Sequence, residues 1–449
     1  MLKHDDGTRA RGTLRAATRR VAARGAVLAR AAPAPALRPR VLIVAEHASA
    51  RFGGEPVLPL HYFRVLRARG IPAWMIVHER TREELRELFP ADLERIRFVR
   101  DSALHRVLWG IGRRLPARLR MVTCGVALRA LTQLAARRLA RRLVREEAID
   151  VVHQPIPVSP REPSFLHGLG APVVIGPMNG GMEYPEAFRS FEGRATRTAV
   201  GIARLASGLA NRIAPGKRRA HALIVANERT RRALPGGVRG RVVELSENGV
   251  DLSLWSRGAP AEAPVRTFVF LGRLVDLKAV DVLLEAFARI PRRVPVRLEI
   301  VGDGPMRGAW EELAARLGLA ERVAFLGWIP QSAAAERLRA ADGLLLPSLH
   351  ECGGAVVLEA MACGVPVVAT AWGGPAEYLA GDCGILVEPS SRETLVAGFA
   401  AAVERLATSR EERRRLGTNG RRRAVEAYDW ERKVDRMLEI YSEAVAAQR

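Results

Sequence analysis

Four cysteines in 449 residues, Cys124, Cys352, Cys363 and Cys383, form no CxxC pair. That leaves no basis for a disulfide framework or a paired-cysteine zinc site, and a reducing cytosol is the simplest setting. No apolar run approaches the roughly 20 residues that span a bilayer, and residues 1–38 are Arg-rich with no apolar core of signal-peptide type. The expectation is a cytoplasmic protein, soluble or peripheral at the inner membrane face. Aromatics are scarce, at 5%. With no zinc-finger or RNA-recognition motif beside them, the formal charge of +23 is a weak argument for nucleic acid, and no nucleic-acid partner is expected.

The charge is concentrated in two stretches. Residues 1–40 carry ten Lys or Arg against two Asp, and residues 106–145 carry eleven Arg and no acid. The first stretch, an Ala, Arg and Pro tract with little apolar periodicity, reads as a disordered tail over 1–39. In the second, Leu128, Leu131, Leu134, Leu139 and Leu143 recur at helical spacing from Leu119 to Val144, with Arg129, Arg137, Arg138, Arg141, Arg142 and Arg145 between them. Such a helix either lies on an anionic membrane surface, each charge contributing about 1 kcal/mol there, or is an ordinary basic helix of the domain.

Chain length exceeds what one core usually serves, so two domains are expected, 40–255 and 265–427, with a Pro/Gly/Ala linker at 256–264 and a closing helix within 428–449. Apolar segments alternate with helical ones throughout, the pattern of an α/β protein with doubly wound parallel sheets. Strands are expected at Arg40–Ala45, Ala73–Val77, Ile149–Val152, Pro172–Ile175, Ala222–Ala226, Val242–Leu245, Thr267–Leu271, Arg297–Val301 and Val323–Phe325.

Residues 347–370, PSLHECGGAVVLEAMACGVPVVAT, are the most informative block. Strand Gly343–Leu346, loop Pro347–Gly354, helix Ala355–Cys363, a stop at Gly364 and strand Val365–Thr370 place a glycine loop at a strand's carboxyl end. There the first helical N–H groups favour an anion such as phosphate. Glu351 and Glu359 flank the glycine pair. A carboxylate accepts both hydrogens of a vicinal diol, although such a pair also serves as caps or surface ion pairs.

This block resembles the retaining family 4 glycosyltransferases, which have the GT-B fold of two Rossmann-like domains facing a cleft and a C-terminal helix crossing back to the first. The resemblance, over about residues 40–445, implies transfer of a hexose from a nucleoside-diphosphate sugar to a glycan or lipid-linked acceptor. Glu351 would meet sugar hydroxyls and Glu359 the ribose, with Gly353, Gly354 and Ala355 beside the phosphates. Arg273 and Lys278, in GRLVDLKAVDVLLEAF, would stabilise the leaving diphosphate in place of a metal ion, since preorganised cations need no reorganisation there. Ala279 replaces the commoner glycine, and no DxD triplet is present. Neither metal nor cofactor is expected. Trp328 and Ile329 would wall the nucleotide base, Trp328 having core packing as its alternative.

On the acceptor side, Gly53 and Gly54 open a helix after the first strand, as a functional loop or a plain turn. The family's sugar-contacting His after the strand ending at Ile175 is missing, replaced by GPMNGG. Asn179, Gly180, Gly181 and Glu183 become the acceptor candidates. His153, after the preceding strand, is either a catalytic or a structural histidine. The rival readings are a nucleotide-sugar epimerase and a non-catalytic, membrane-surface glycan-binding protein.

Overall fold

The computed structural model describes residues 38–51, 54–115, 120, 123–191, 207–258, 263–379 and 381–448. Apolar segments such as VLIV at Val41–Val44 are buried throughout, as strands covered on both faces by helices must be. In chain order the strands are β1 (Val41–Val44), β2 (Ala73–His78), β3 (Ile96–Val99), β4 (Val151–Gln154), β5 (Val173–Met178), β6 (Ala222–Val225), β7 (Arg241–Glu244), β8 (Arg266–Leu271), β9 (Val296–Val301), β10 (Val323–Gly327), β11 (Gly343–Leu346), β12 (Val367–Thr370) and β13 (Gly384–Val387).

Among the described residues they form two parallel sheets, ordered β3-β2-β1-β4-β5-β6-β7 and β10-β9-β8-β11-β12-β13. Both orders reverse once, between β1 and β4 and between β8 and β11. Crossovers wind in opposite senses from each reversal, leaving a crevice at the strands' carboxyl ends. The edge strands β3 and β13 are not among the strands expected from the sequence. Each is only partly covered, so its residues lack the continuous apolar run of a central strand.

Five helices frame the crevice or brace the first sheet: α1 (Val57–Ala68), α2 (Ala103–Arg113), α3 (Cys124–Glu146), α4 (Ala355–Cys363) and α5 (Trp430–Ala446). α5 crosses back to the first domain. Its Trp430, Val434, Met437, Ile440, Tyr441 and Ala444 share a core with β1, β2 and α1.

His153 belongs to that core. It is fully buried, its Nε2 donates to the Gly176 carbonyl at 2.7 Å, and its Nδ1 accepts from the Tyr441 hydroxyl at 2.7 Å. Burial pushes its pKa down to about 4, so the ring is neutral and both nitrogens are committed. A catalytic role for His153 is thereby corrected: it fastens α5 to the first sheet and does not face the cleft.

The basic helix packs as a domain helix and keeps an exposed basic side. α3 buries Thr132, Ala136, Ala140, Leu143 and Val144, and the i, i+4 ridge of small residues sets it closely on the sheet. Leu128, Leu131, Leu134 and Leu139 flank that ridge half-buried, while Arg138, Arg141, Arg142 and Arg145 face solvent.

Replacing Tyr441 by Phe leaves the His153 acceptor buried without a donor, which costs about 1–3 kcal/mol. Denaturant unfolding of Tyr441→Phe should show that loss; unchanged stability would contradict the anchoring role.

Candidate active site

The second sheet's reversal point organises the site. Arg273 and Lys278 follow β8, and Glu351 follows β11, so the two loops rise on either side of the crevice. A backbone bond from Leu349 N–H to the Leu277 carbonyl, 2.9 Å, ties them together. Beside it, Lys278 Nζ donates to Glu351 Oε2. Both side chains are largely covered, at 17% and 14% exposure, which strengthens an ion pair over one held in water. Arg273 is exposed; its carbonyl accepts from Val275 N–H at 3.0 Å, and its guanidinium makes no hydrogen bond or ion pair among the described residues.

Lys278 ends a 3-10 turn, and Ala279 after it has φ 48° and ψ 41°. A left-handed conformation costs a residue with a Cβ about 1–2 kcal/mol. The position thus asks for glycine, the residue the resembled family places there.

Past Glu351, Gly354 adopts φ 74° to open α4, a turn that a Cβ would strain. At the start of α4 the Val357 N–H is taken by the Gly354 carbonyl at 2.9 Å, which leaves the N–H groups of Ala355 and Val356 with no carbonyl ahead of them in the helix. Glu359 lies one turn further along. Burial pushes its carboxyl up to about 8, and no hydrogen bond or ion pair reaches it among the described residues. Trp328 is 72% exposed, so core packing is not its role, and Ile329 beside it is half-buried.

The first domain reaches this site through the loops expected to contact the acceptor. Asn179 is buried; its Nδ2 donates to Glu247 Oε2 at 2.6 Å and to the Cys352 carbonyl at 2.8 Å. Its Oδ1 accepts from Arg229 at 3.0 Å. With both ends committed, Asn179 is unavailable to an acceptor, a correction to that expectation. Gly180 packs on Pro160 and Thr230. Gly181 and Glu183 instead line an open cavity of about 420 Å3 with Arg161, Glu228, Arg229 and Arg232. Gly54 is exposed at φ 60° ahead of α1, and Gly53 lies outside the described residues.

Other domain-bridging residues are not legible as such in the sequence. Asn227 Nδ2 donates to both Glu377 oxygens, at 2.8 and 2.9 Å, and Arg229 pairs with Glu377 at 3.5 Å. Glu247 and Asn248 crowd Gly353, where a Cβ would collide with both side chains. Their only sequence signal is position after a strand. Among the described residues no three His, Cys, Asp or Glu are grouped so as to hold a metal ion.

Residues 256–423 match the family model described as glycosyl transferases group 1. The matched stretch is the linker and most of the second domain. It contains Arg273, Lys278, Trp328, Glu351 and Glu359. A D-inositol 3-phosphate glycosyltransferase of Geodermatophilus obscurus is 38% identical over 215 residues, covering 44% of this chain and 46% of that protein. The match thus spans about half the length of that curated relative. The fold extends further. Sucrose-phosphate synthase of Thermosynechococcus elongatus superposes on 91% of this chain and 100% of its own, with TM-score 0.64 and 20% identity. Anabaena HepE in complex with UDP-glucose covers 90% and 99%, with TM-score 0.58 and 18% identity. Together with the two parallel sheets, these show a GT-B architecture.

Proposed function

We propose that the chain transfers a hexose from a nucleoside-diphosphate sugar to a glycan or lipid-linked acceptor, with retention of configuration and without a metal ion. The observation that carries this reading is the Lys278–Glu351 contact across the reversal point. It sets a phosphate-binding cation beside a hydroxyl-binding carboxylate, which is what the junction between sugar and diphosphate requires. The solved relative with UDP-glucose bound supports a donor of this class.

In this mechanism the acceptor oxygen bonds the anomeric carbon from the face that the diphosphate leaves. The carbon–oxygen bond to phosphate breaks with both electrons going to the diphosphate, and the acceptor's proton passes to the departing phosphate oxygen. Arg273, Lys278 and the first turn of α4 stabilise the growing negative charge. Glu351 orients the sugar, Glu359 the ribose, and Trp328 with Ile329 stands against the base. The cavity at Gly181 and Glu183 is the proposed acceptor side.

A lipid-linked acceptor agrees with α2. This helix is turned with His105 and Gly112 inward, His105 Nε2 meeting Thr132 Oγ1 of α3 at 3.2 Å. Leu104, Val107 and Ile111, at i, i+3 and i+7, therefore face outward, joined by Trp109 at 56% exposure and by Val126 of α3, while Leu108 is half-buried beside them. Arg106, Arg113 and Arg114 border them, with Arg113 over the Trp109 ring at 4.9 Å. An outward apolar stripe with an arginine rim suits an anionic bilayer, so the proposed docking surface is α2, with the exposed arginines of α3 adding charge. No helix among the described residues is long and apolar enough to cross a membrane.

Glu351→Ala and Lys278→Ala should each lower turnover of the preferred nucleotide sugar by about 10²- to 10³-fold while the chain still folds, as circular dichroism would show. Wild-type turnover in either variant would overturn the assignment, and a donor isomer formed without any acceptor would favour an epimerase. For docking, Val107→Glu with Ile111→Glu should abolish sedimentation with phosphatidylglycerol vesicles. Undiminished sedimentation would remove α2 as the membrane surface.

A further inference from the structure

The loop that carries Glu351 is held from the first domain. Cys352, directly after Glu351, gives its carbonyl to Asn179 Nδ2 at 2.8 Å. The other N–H of that carboxamide goes to Glu247 Oε2 at 2.6 Å, and its oxygen takes Arg229 at 3.0 Å. The carboxamide therefore has one available orientation, because a flipped amide would aim N–H groups at the Arg229 guanidinium and its oxygen at a carboxylate and a carbonyl.

Glu247 is itself fixed. Lys433 of α5 donates from Nζ to the carbonyls of Glu247, at 2.7 Å, and Asn248, at 3.2 Å, as well as Ser246. Asn248 Nδ2 in turn meets the Tyr378 hydroxyl of the second domain at 3.2 Å. Glu247, Asn179 and Lys433 are buried, and Gly353 lies so close to Glu247 and Asn248 that no side chain fits there. On the far side of the loop, the Glu351 carbonyl accepts from Gly374 N–H at 2.9 Å. The Glu351 backbone is thus pinned on one side by its own domain and on the other by Asn179.

Resting on the transferase reading above, we propose that Asn179, oriented by Glu247, is a positioning residue for Glu351, so that the donor site is complete only while the first domain is docked on its loop. Asn179 touches no substrate in this arrangement. Its effect runs through the Cys352 carbonyl to the carboxylate one residue earlier. The consequence is selective: losing it loosens the hold on the sugar, which Glu351 provides, and spares the nucleoside diphosphate, held by Arg273, Lys278, α4 and Glu359. Glu247→Gln still offers an oxygen to Asn179 and should keep that bond, giving up only the one that Oε1 accepts from Asn248 Nδ2 at 3.2 Å.

The experiment uses the full chain as Asn179→Ala and Glu247→Gln, with two readouts. Hydrogen exchange over residues 347–356 should speed up in Asn179→Ala and stay at the wild-type rate in Glu247→Gln. Kinetics with a panel of UDP-, GDP- and ADP-hexoses should show kcat for Asn179→Ala falling by about tenfold or more, the nucleoside diphosphate Kd holding within about twofold, and Glu247→Gln near wild type. Unchanged exchange in that loop, or unchanged kcat, overturns the proposal. So does a parallel loss of melting temperature, diphosphate affinity and kcat, which marks a merely structural asparagine. Wild-type protein inert toward every donor would instead sink the transferase reading, and the exchange rates would then decide the clamp alone.

Discussion

A lysine and a glutamate on loops from two neighbouring strands meet at the point where the second sheet reverses, and the candidate site is arranged around that contact. Strand order brings the loops together, the Leu349–Leu277 backbone bond sets their spacing, and Lys278 places a cation against Glu351. The two carboxylates of the block are thereby differentiated. Glu351 has a cationic partner at hand, whereas Glu359 sits in a desolvated position on α4 with none among the described residues, and its carboxyl is pushed up to about 8. One fold thus offers a paired carboxylate and an unpaired one within a single loop–helix unit, each suited to a different pair of hydroxyls.

The second domain is largely legible in the sequence because its information is local. Gly343–Leu346, Ala355–Cys363 and the stop at Gly364 stand where apolar runs and glycines put them. Lys278 and Glu351 meet because the loops that carry them leave the carboxyl edge of neighbouring parallel strands. The first domain's contribution is less legible, since it depends on contacts between residues far apart in the chain. By sequence His153 follows an apolar run as a cleft histidine would, yet it lies inside β4 and a tyrosine 288 residues later claims one of its ring nitrogens. Asn179 sits in a glycine-rich loop as a substrate contact would, yet a carbonyl 173 residues later claims its carboxamide. Nothing at either position announces a distant partner.

The basic stretch shows the same dependence on partners. Leucines at helical spacing in α3 promise an apolar face, but alanines and a threonine form the ridge that packs on the sheet. The outward apolar stripe belongs to α2, which turns His105 and Gly112 inward and meets Thr132 of α3 through His105. Periodicity identifies that a helix has a face; the partner against which the other side packs decides where the face points.

The central claim, that α4 and its preceding loop form a nucleotide-sugar donor site, is tested most directly by calorimetric binding of nucleoside diphosphates at pH 7 in buffers of different ionisation enthalpy. Free Glu359, at about 8, is mostly protonated at that pH. Ribose hydroxyls donating to it favour the carboxylate and lower its pKa, so binding should release close to one proton, a release that fades as pH rises past 8 and disappears in Glu359→Gln. Binding without any proton release from the wild-type chain, or no binding by any nucleoside diphosphate, would contradict the claim.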